Sequence, residues 1–234
     1  MSEAGERPRA AMILAAGRGE RMRPLTDTTP KPMLTVGDQP LIERNVNALV
    51  GAGIRRIVIN LAWLGTQIRD FLGDGSRYGA VIHYSEEAPR ALQPAGGIYR
   101  ALPLLQPGPF AVVNGDVYTD FPLGTLSLAS NRDAHLVLVP NPTGYKGDFG
   151  LQHGNAVEEE AAADGPLYTY SGIALFRTAF FAGCTAGSFP LKPLLLRSMS
   201  VARCSAELFE GQWVDVGTPE RLDALNRTVG RQKG

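Results

Sequence analysis

Between Met12 and Met33 the chain reads MILAAGRGERMRPLTDTTPKPM. The apolar residues Met12 to Ala16 stop abruptly at Gly17, Arg18, Gly19, and the cations Arg18, Arg21, Arg23 and Lys31 follow in close succession. Such a stretch predicts a buried strand that delivers the chain into a phosphate-wrapping loop. Glycine permits positive φ and lets a ligand lie on main-chain N–H groups, while the cations answer the charge of a polyphosphate. Pro30 and Pro32 flank Lys31 and stiffen the backbone that presents its amine.

The pattern that follows suits an α/β fold. Leu41, Ile42, Val46, Leu49 and Val50 share one face of a helix predicted from Pro40 to Leu49, with Pro40 in the first turn and Gly51 or Gly53 as the stop. Arg56 to Asn60 has strand character, Gly65 to Leu72 has helical spacing, and Ala80 to Tyr84 returns to strand. That alternation argues for a parallel sheet covered by helices on both sides. A turn from Glu86 to Gln93 leads to a helix from Pro94 through Leu105. Phe110 to Val113 then reads as a buried strand ending in Asn114, Gly115 and Asp116, where open α/β sheets bind ligands. Further on, Leu123 to Ser130 predicts a helix, Ala134 to Pro140 a strand, Asn141 to Gly150 a loop and Glu158 to Gly165 a polar, hairpin-like excursion. Leu167 to Phe176 and Val201 to Leu208 predict strands, Pro193 to Met199 and Pro219 to about Val229 helices, and Trp213 to Asp215 a short extended run.

With 234 residues, 44% of them hydrophobic, the chain can bury a sizeable core, and the reading is one domain over 1–234. Residues 1–9 read as a flexible tail, about 10–115 as a nucleotide-binding half and about 116–230 as a sugar- and metal-binding half. The 23 basic and 23 acidic residues cancel, so no global field favours nucleic acid or an anionic membrane. Arg7 and Arg9 before Ala10 to Ala16 imitate a secretory signal, but charges follow that run at once instead of a cleavage site, and no stretch has transmembrane length. Cys184 and Cys204 lack C-x-x-C spacing and suit a reducing compartment, so the expectation is a cytoplasmic protein, monomeric or a weak homo-oligomer.

Two phosphate motifs are excluded by spacing: there is no G-x-x-x-x-G-K-[ST], and the loop lacks the third glycine of the dinucleotide fingerprint. Leu14, Ala15, Ala16, Gly17, Gly19, Arg21, Met22, Pro24, Leu25 and Thr26, followed by Pro30, Lys31 and Pro32, instead match the motif of the sugar-1-phosphate nucleotidyltransferases. The chain resembles that family over nearly its whole length, through Val113 to Asp116, Gly147 to Phe149, Ser171 to Ile173 and Trp213 to Thr218. It is most similar to the short uridylyltransferases that act on N-acetylmuramic acid 1-phosphate in peptidoglycan recycling. The resemblance implies a Rossmann-like (GT-A type) fold, with a mixed, mostly parallel sheet flanked by helices and a smaller β-rich sugar-binding subregion. It also implies the substrates, a nucleoside triphosphate, UTP first, and a sugar 1-phosphate. Because the chain stops soon after the helix from Pro219, no left-handed β-helix of the kind some relatives carry is expected.

The chemistry of that reaction needs few residue types. A sugar phosphate attacking an α-phosphorus is already anionic, so the protein must align two anions and neutralise the departing pyrophosphate. Arg21, Lys31 and Asp116 are the candidate catalytic residues, and Leu14, Ala15, Ala16, Gly17, Gly19, Arg21, Lys31, Gln93, Gly96 and Gly97 the candidate nucleotide contacts. Asp116 and Asp215 each end a strand-like run beside small residues and are the candidate ligands for Mg²⁺, which takes one or two carboxylates plus phosphate oxygens. Without the resemblance, the plainer reading is that Asp116 caps the following segment and Asp215 pairs with an arginine. The resemblance places Asn114, Asp148, Tyr170, Ser171 and Gly172 around the sugar. Gln93 and Pro94 depart from the family's Glu-Thr beside the base, which loosens the base assignment and keeps two alternatives open: a mannose- or heptose-1-phosphate guanylyltransferase, and a non-catalytic nucleotide-sugar-binding protein. His83, His135, His153, Trp63, Trp213 and the Arg55–Arg56 turn are assigned no chemistry.

Overall fold

Strand β1 (Ala10–Leu14) sends Ala10 and Met12 into one hydrophobic cluster and Ala11 and Ile13 into another, so both of its faces are buried. That is the environment of a parallel strand sandwiched between helical layers, and it explains a run without polar alternation. The computed structural model describes residues 5–87, 90–162 and 165–232. After a two-residue ribbon, β2 (Thr35–Val36) and β3 (Gln39–Pro40), come α1 (Leu41–Gly51), β4 (Arg56–Leu61), α2 (Gly65–Leu72), β5 (Val81–Glu86), α3 (Gln93–Ala101) and β6 (Pro109–Asn114). Next are β7 (Val117–Thr119), β8 (Ala134–Val139), β9 (Phe149–Gln152), β10 (Asn155–Val157) and the long β11 (Leu167–Arg177). The chain continues through α4 (Lys192–Ser200), β12 (Cys204–Leu208), β13 (Trp213–Asp215) and α5 (Pro219–Gln232).

Nine strands form one mixed sheet in the order β5-β4-β1-β6-β11-β8-β12-β10-β9. Pairing is parallel from β5 to β6 and between β8 and β12, and antiparallel where β11 joins β6 and β8. One face packs on α3 and α4 through Ile98, Leu195 and the rings of Phe110, Phe176, Phe180 and Phe181; Ile42, Leu49 and Ile68 of α1 and α2 cover the other. A third cluster, with Met22, Leu41, Val216, Leu222 and Leu225, fastens α5 over the loop after β1. Among the described residues no helix is long and apolar enough to cross a membrane.

Several expectations are corrected. Of the tail read as flexible, residues 1–4 lie outside the described residues. Glu6, however, makes a β-bridge with Leu128, and its carboxylate pairs with Arg177 at 2.9 Å. The helix expected from Leu123 to Ser130 is a single 3-10 turn, Leu123–Thr125, because Leu126 and Leu128 are drawn into the core in extended form. In the polar excursion only a turn at Glu160–Ala162 is described, residues 163 and 164 lying outside the described residues. Arg56 is not a solvated turn residue: it opens β4, and its Nε donates to the Leu104 carbonyl at 2.9 Å.

Candidate active site

Chain order reverses across β1, since β4 and β5 are laid to one side of it and β6 to the other. Ligands of open α/β sheets bind at such a reversal, outside the carboxyl ends of the strands. Leu14 and Asn114 stand opposite each other there, and Gly115 N–H donates to the Leu14 carbonyl at 2.9 Å. A side chain at 115 would run into that carbonyl and the Pro32 ring, which accounts for the glycine. Two clefts meet at this point and share Asn114 and Asp116. One, of about 210 Å³, includes Leu14, Ala16, Gly17, Gln93 and Pro94; the other, of about 270 Å³, includes Arg21, Asp148, Tyr170, Ser171 and Asp215.

The cations after β1 separate into two kinds. Arg18 is held by the protein: it donates to the Thr26 carbonyl at 2.6 Å and to Asp27 at 2.7 Å, and its guanidinium lies 3.8 Å from the centre of the Trp63 ring. Arg23 also pairs with Asp27, at 2.9 Å, and the Arg18 hydrogen bond keeps the Asp27 carboxyl below its usual range. Arg21 has no ion pair among the described residues, and its guanidinium lies over Gly217 in the second cleft. Gly19 alone of the loop glycines has positive φ, 69°, and its missing side chain makes room for Thr26 and Lys31. Gly17 faces open space in the first cleft, so its backbone is open to a ligand.

Lys31 is nearly buried, and its Nζ forms an ion pair with Asp116 and approaches Asp215 Oδ1 at 3.9 Å. Strand pairing explains why residues so distant in sequence meet: Asp215 of β13 is in register with Val117 of β7, and Val216 N–H donates to the Asp116 carbonyl at 3.0 Å. Asp215 also pairs with an arginine, since its Oδ2 accepts from Arg221 Nη1 at 3.2 Å as well as from the Tyr145 hydroxyl at 3.0 Å. Arg221 donates in turn to the Tyr145 hydroxyl and packs over its ring. Burial and then the Asp215 carboxylate push the Tyr145 phenol above its ordinary value, so it remains a donor.

The second cleft is shaped by a β-bulge. Pairing of β11 with β8 shifts register between Tyr170 and Ala174, and Gly172 takes φ 81° within that bulge. A Cβ at Gly172 would lie 2.6 Å from Asn114 Nδ2, so this glycine supports Asn114 and does not itself line the cleft. Asp148 Oδ2 accepts from Tyr170 N–H at 2.9 Å, Ser171 Oγ accepts from Ile173 N–H at 3.1 Å, and the Ser171 carbonyl accepts from Trp213 Nε1 at 2.9 Å. Burial pushes the Tyr170 phenol up. Trp213 thus does more than pack, since it lines this cleft and a smaller one behind it with Tyr145, Asp215 and Arg221.

Three of the expected nucleotide contacts have close protein neighbours of their own. Ala15 N–H is taken by Asn60 Oδ1 at 2.7 Å, so the main-chain donors left to a ligand begin at Ala16 and Gly17. A Cβ at Gly96 would run into the Gly187 carbonyl and one at Gly97 into the Glu87 carboxylate, so each glycine makes room for a neighbouring segment. Pro94 falls in the first turn of α3, where a missing N–H costs little. Sequence reading missed Asn60, Glu87, Tyr145 and Arg221, none of which stands in a local motif; only the polar Asn60 ending an apolar strand run offered a signal.

The family profile described as Nucleotidyl transferase matches residues 10–164. The chain is 49% identical over 230 residues to the N-acetylmuramate alpha-1-phosphate uridylyltransferase of Neisseria meningitidis serogroup B, covering 95% of this chain and 99% of that one. It is 30% identical over 226 residues to the Caulobacter vibrioides protein of the same name, covering 91% and 93%. Among solved structures, HddC from Yersinia pseudotuberculosis complexed with GMP-PN superposes with a TM-score of 0.76 at 20% identity, over 94% of this chain and 99% of that one, a likeness of fold.

Proposed function

The chain belongs to the nucleotidyl transferase family, and on that premise we propose that it transfers uridylate from UTP to N-acetylmuramic acid 1-phosphate, releasing pyrophosphate, in the recycling of peptidoglycan within the cytoplasm. The observation that carries the reading is the pair of clefts joined at Asn114 and Asp116, one floored by the loop after β1 and the other by the β11 bulge. The nucleotide lies in the first cleft, with its phosphates over Gly17 toward Arg21 and Lys31, and the sugar phosphate enters from the second.

A phosphate oxygen of the sugar 1-phosphate attacks the α-phosphorus, a new P–O bond forms, and the bond to pyrophosphate breaks. No proton must leave the nucleophile, so the protein needs no general base. Arg21 and Lys31 draw the two anions together and offset the charge developing on the leaving group. Asp116 and Asp215 fit Mg²⁺, since two carboxylates lining one cleft are the donor set that ion accepts together with phosphate oxygens. When bound, Mg²⁺ would polarise the phosphoryl oxygens and lower the cost of pyrophosphate departure. Arg221 and the Tyr145 hydroxyl, on the far side of Asp215, suit the carboxylate that distinguishes a muramic acid from other hexosamines.

The test is pyrophosphate release measured with UTP, GTP, CTP and dTTP crossed against several sugar 1-phosphates, with and without EDTA. Release that needs UTP and N-acetylmuramic acid 1-phosphate and stops with EDTA is expected. No release from any pair refutes the activity, and release confined to GTP with mannose 1-phosphate refutes the substrate.

A further inference from the structure

We propose that Asn60 and Glu87 are a coupled pair of positioning residues that hold the phosphate end and the far end of the first cleft in fixed relation through three hydrogen bonds, two of them buried. The inference rests on the nucleotidyl-transfer reading of that cleft. Asn60, 4% exposed at the end of β4, accepts from Ala15 N–H through Oδ1 at 2.7 Å and donates through Nδ2 to Glu87 Oε1 at 2.7 Å. Glu87, 1% exposed, accepts through Oε2 from Leu92 N–H at 2.7 Å, immediately before α3. The relay therefore runs from the residue after β1, which opens the phosphate loop, to the helix that carries Gln93 and Pro94 into the opposite wall.

The donor and acceptor types leave one arrangement. Ala15 N–H and Leu92 N–H are both donors, so the two side chains between them must present an acceptor at each end and one donor–acceptor pair in the middle. An amide beside a carboxylate does this with the charge on Glu87. Gly97 belongs to the same device, because any side chain there would meet Glu87 Oε1. The Glu87 carboxylate thus binds the residue that caps α3 directly, across five positions of sequence.

Exchanging the amide and the carboxylate tests the pair where truncation would not. Asn60→Asp alone sets one carboxylate against another, and Glu87→Gln alone leaves a donor facing a donor at one of its two partners. The double variant, Asn60→Asp with Glu87→Gln, restores all three bonds with the middle one reversed: the new amide at 87 donates to the new carboxylate at 60 and still accepts from Leu92 N–H. UTP is titrated calorimetrically into each protein, and kcat, KM for UTP and the melting temperature are measured. Each single variant is expected to weaken UTP binding and raise its KM by about tenfold, with a smaller change in kcat. The double variant is expected to return Kd, KM and melting temperature to within about twofold or a few degrees of the parent. A double variant that regains its melting temperature but not its UTP affinity overturns the proposal, since the carboxylate at 87 would then be needed for itself; so do single variants that bind UTP normally. If the single variants do not fold, a folded double variant with parental affinity supports the pairing, and an unfolded one refutes it. A parent protein that binds UTP but releases no pyrophosphate sinks the reaction while leaving the relay testable by affinity.

Discussion

Lys31→Met should make the metal-free protein bind a divalent cation more tightly while removing its turnover. In the structure the Lys31 ammonium sits between two aspartates, paired with Asp116 and 3.9 Å from Asp215. At about 4 Å and an effective dielectric near 20, one such pair is worth roughly 4 kcal/mol. The lysine side chain is 11% exposed and the aspartates 27% and 23%, so solvent screens the pair, and half of that value or less, about 1.5–2 kcal/mol, is the usable figure. Methionine keeps the volume of the stem and removes the charge. Two carboxylates then face each other without their cation, and an incoming ion no longer meets a positive neighbour. The expected result is a roughly tenfold lower Kd for Mn²⁺, measured by water-proton relaxation without nucleotide, since 1.4 kcal/mol corresponds to a factor of ten. Turnover should fall by at least about a hundredfold, because the charge facing the phosphates is lost. An unchanged or weaker Mn²⁺ affinity in a folded variant would refute the idea that Lys31 and the cation compete for the same two carboxylates.

Gly172→Ala should cost about 2–4 kcal/mol, from about 1–2 for an alanine at φ 81° and the rest for displacing Asn114 from 2.6 Å, and activity should fall with it; urea midpoints near the parent's would count against this account. Stability should decline on the alkaline side. Burial raises the Cys204 thiol from 9.0 to about 12 and the Tyr84 phenol from 10.0 to about 12, so the folded state keeps protons that the unfolded chain releases. That contribution is complete below pH 9 and is lost as pH rises toward 12, which melting temperatures from pH 8 to 11 would reveal as a steady fall. For the same reason a maleimide at pH 8 should label the partly exposed Cys184 and spare Cys204; equal labelling of both in the folded protein would contradict the burial.

The elements that were legible in advance are those whose residues carry their own instructions. Ala10 to Leu14 is apolar on both faces, as a covered strand must be; the one-sided helices of Leu41–Gly51 and Gly65–Leu72 follow from spacing; and the glycines after Ala16 mark the turn that ends β1. Leu123 to Ser130 misled because its apolar residues are spaced as a helix would space them, while the core took Leu126 and Leu128 in extended form. The bonds of the site were another matter. Which of four cations stays available depended on Asp27 and Trp63 capturing Arg18 and Arg23; whether Asp215 reaches Lys31 depended on β13 pairing with β7; and the duty of Gly97 was set by Glu87.

Sequence alone therefore determined the strand, the loop and the charge types that nucleotidyl transfer demands, because local backbone preference and hydrophobic period act over a few residues. Only the tertiary structure decided which charges meet, that Arg221 and Tyr145 stand beside Asp215, and that Asn60 and Glu87 join the two walls of the cleft. Those choices depend on long-range strand register, and register follows from packing of the whole sheet, not from any one segment.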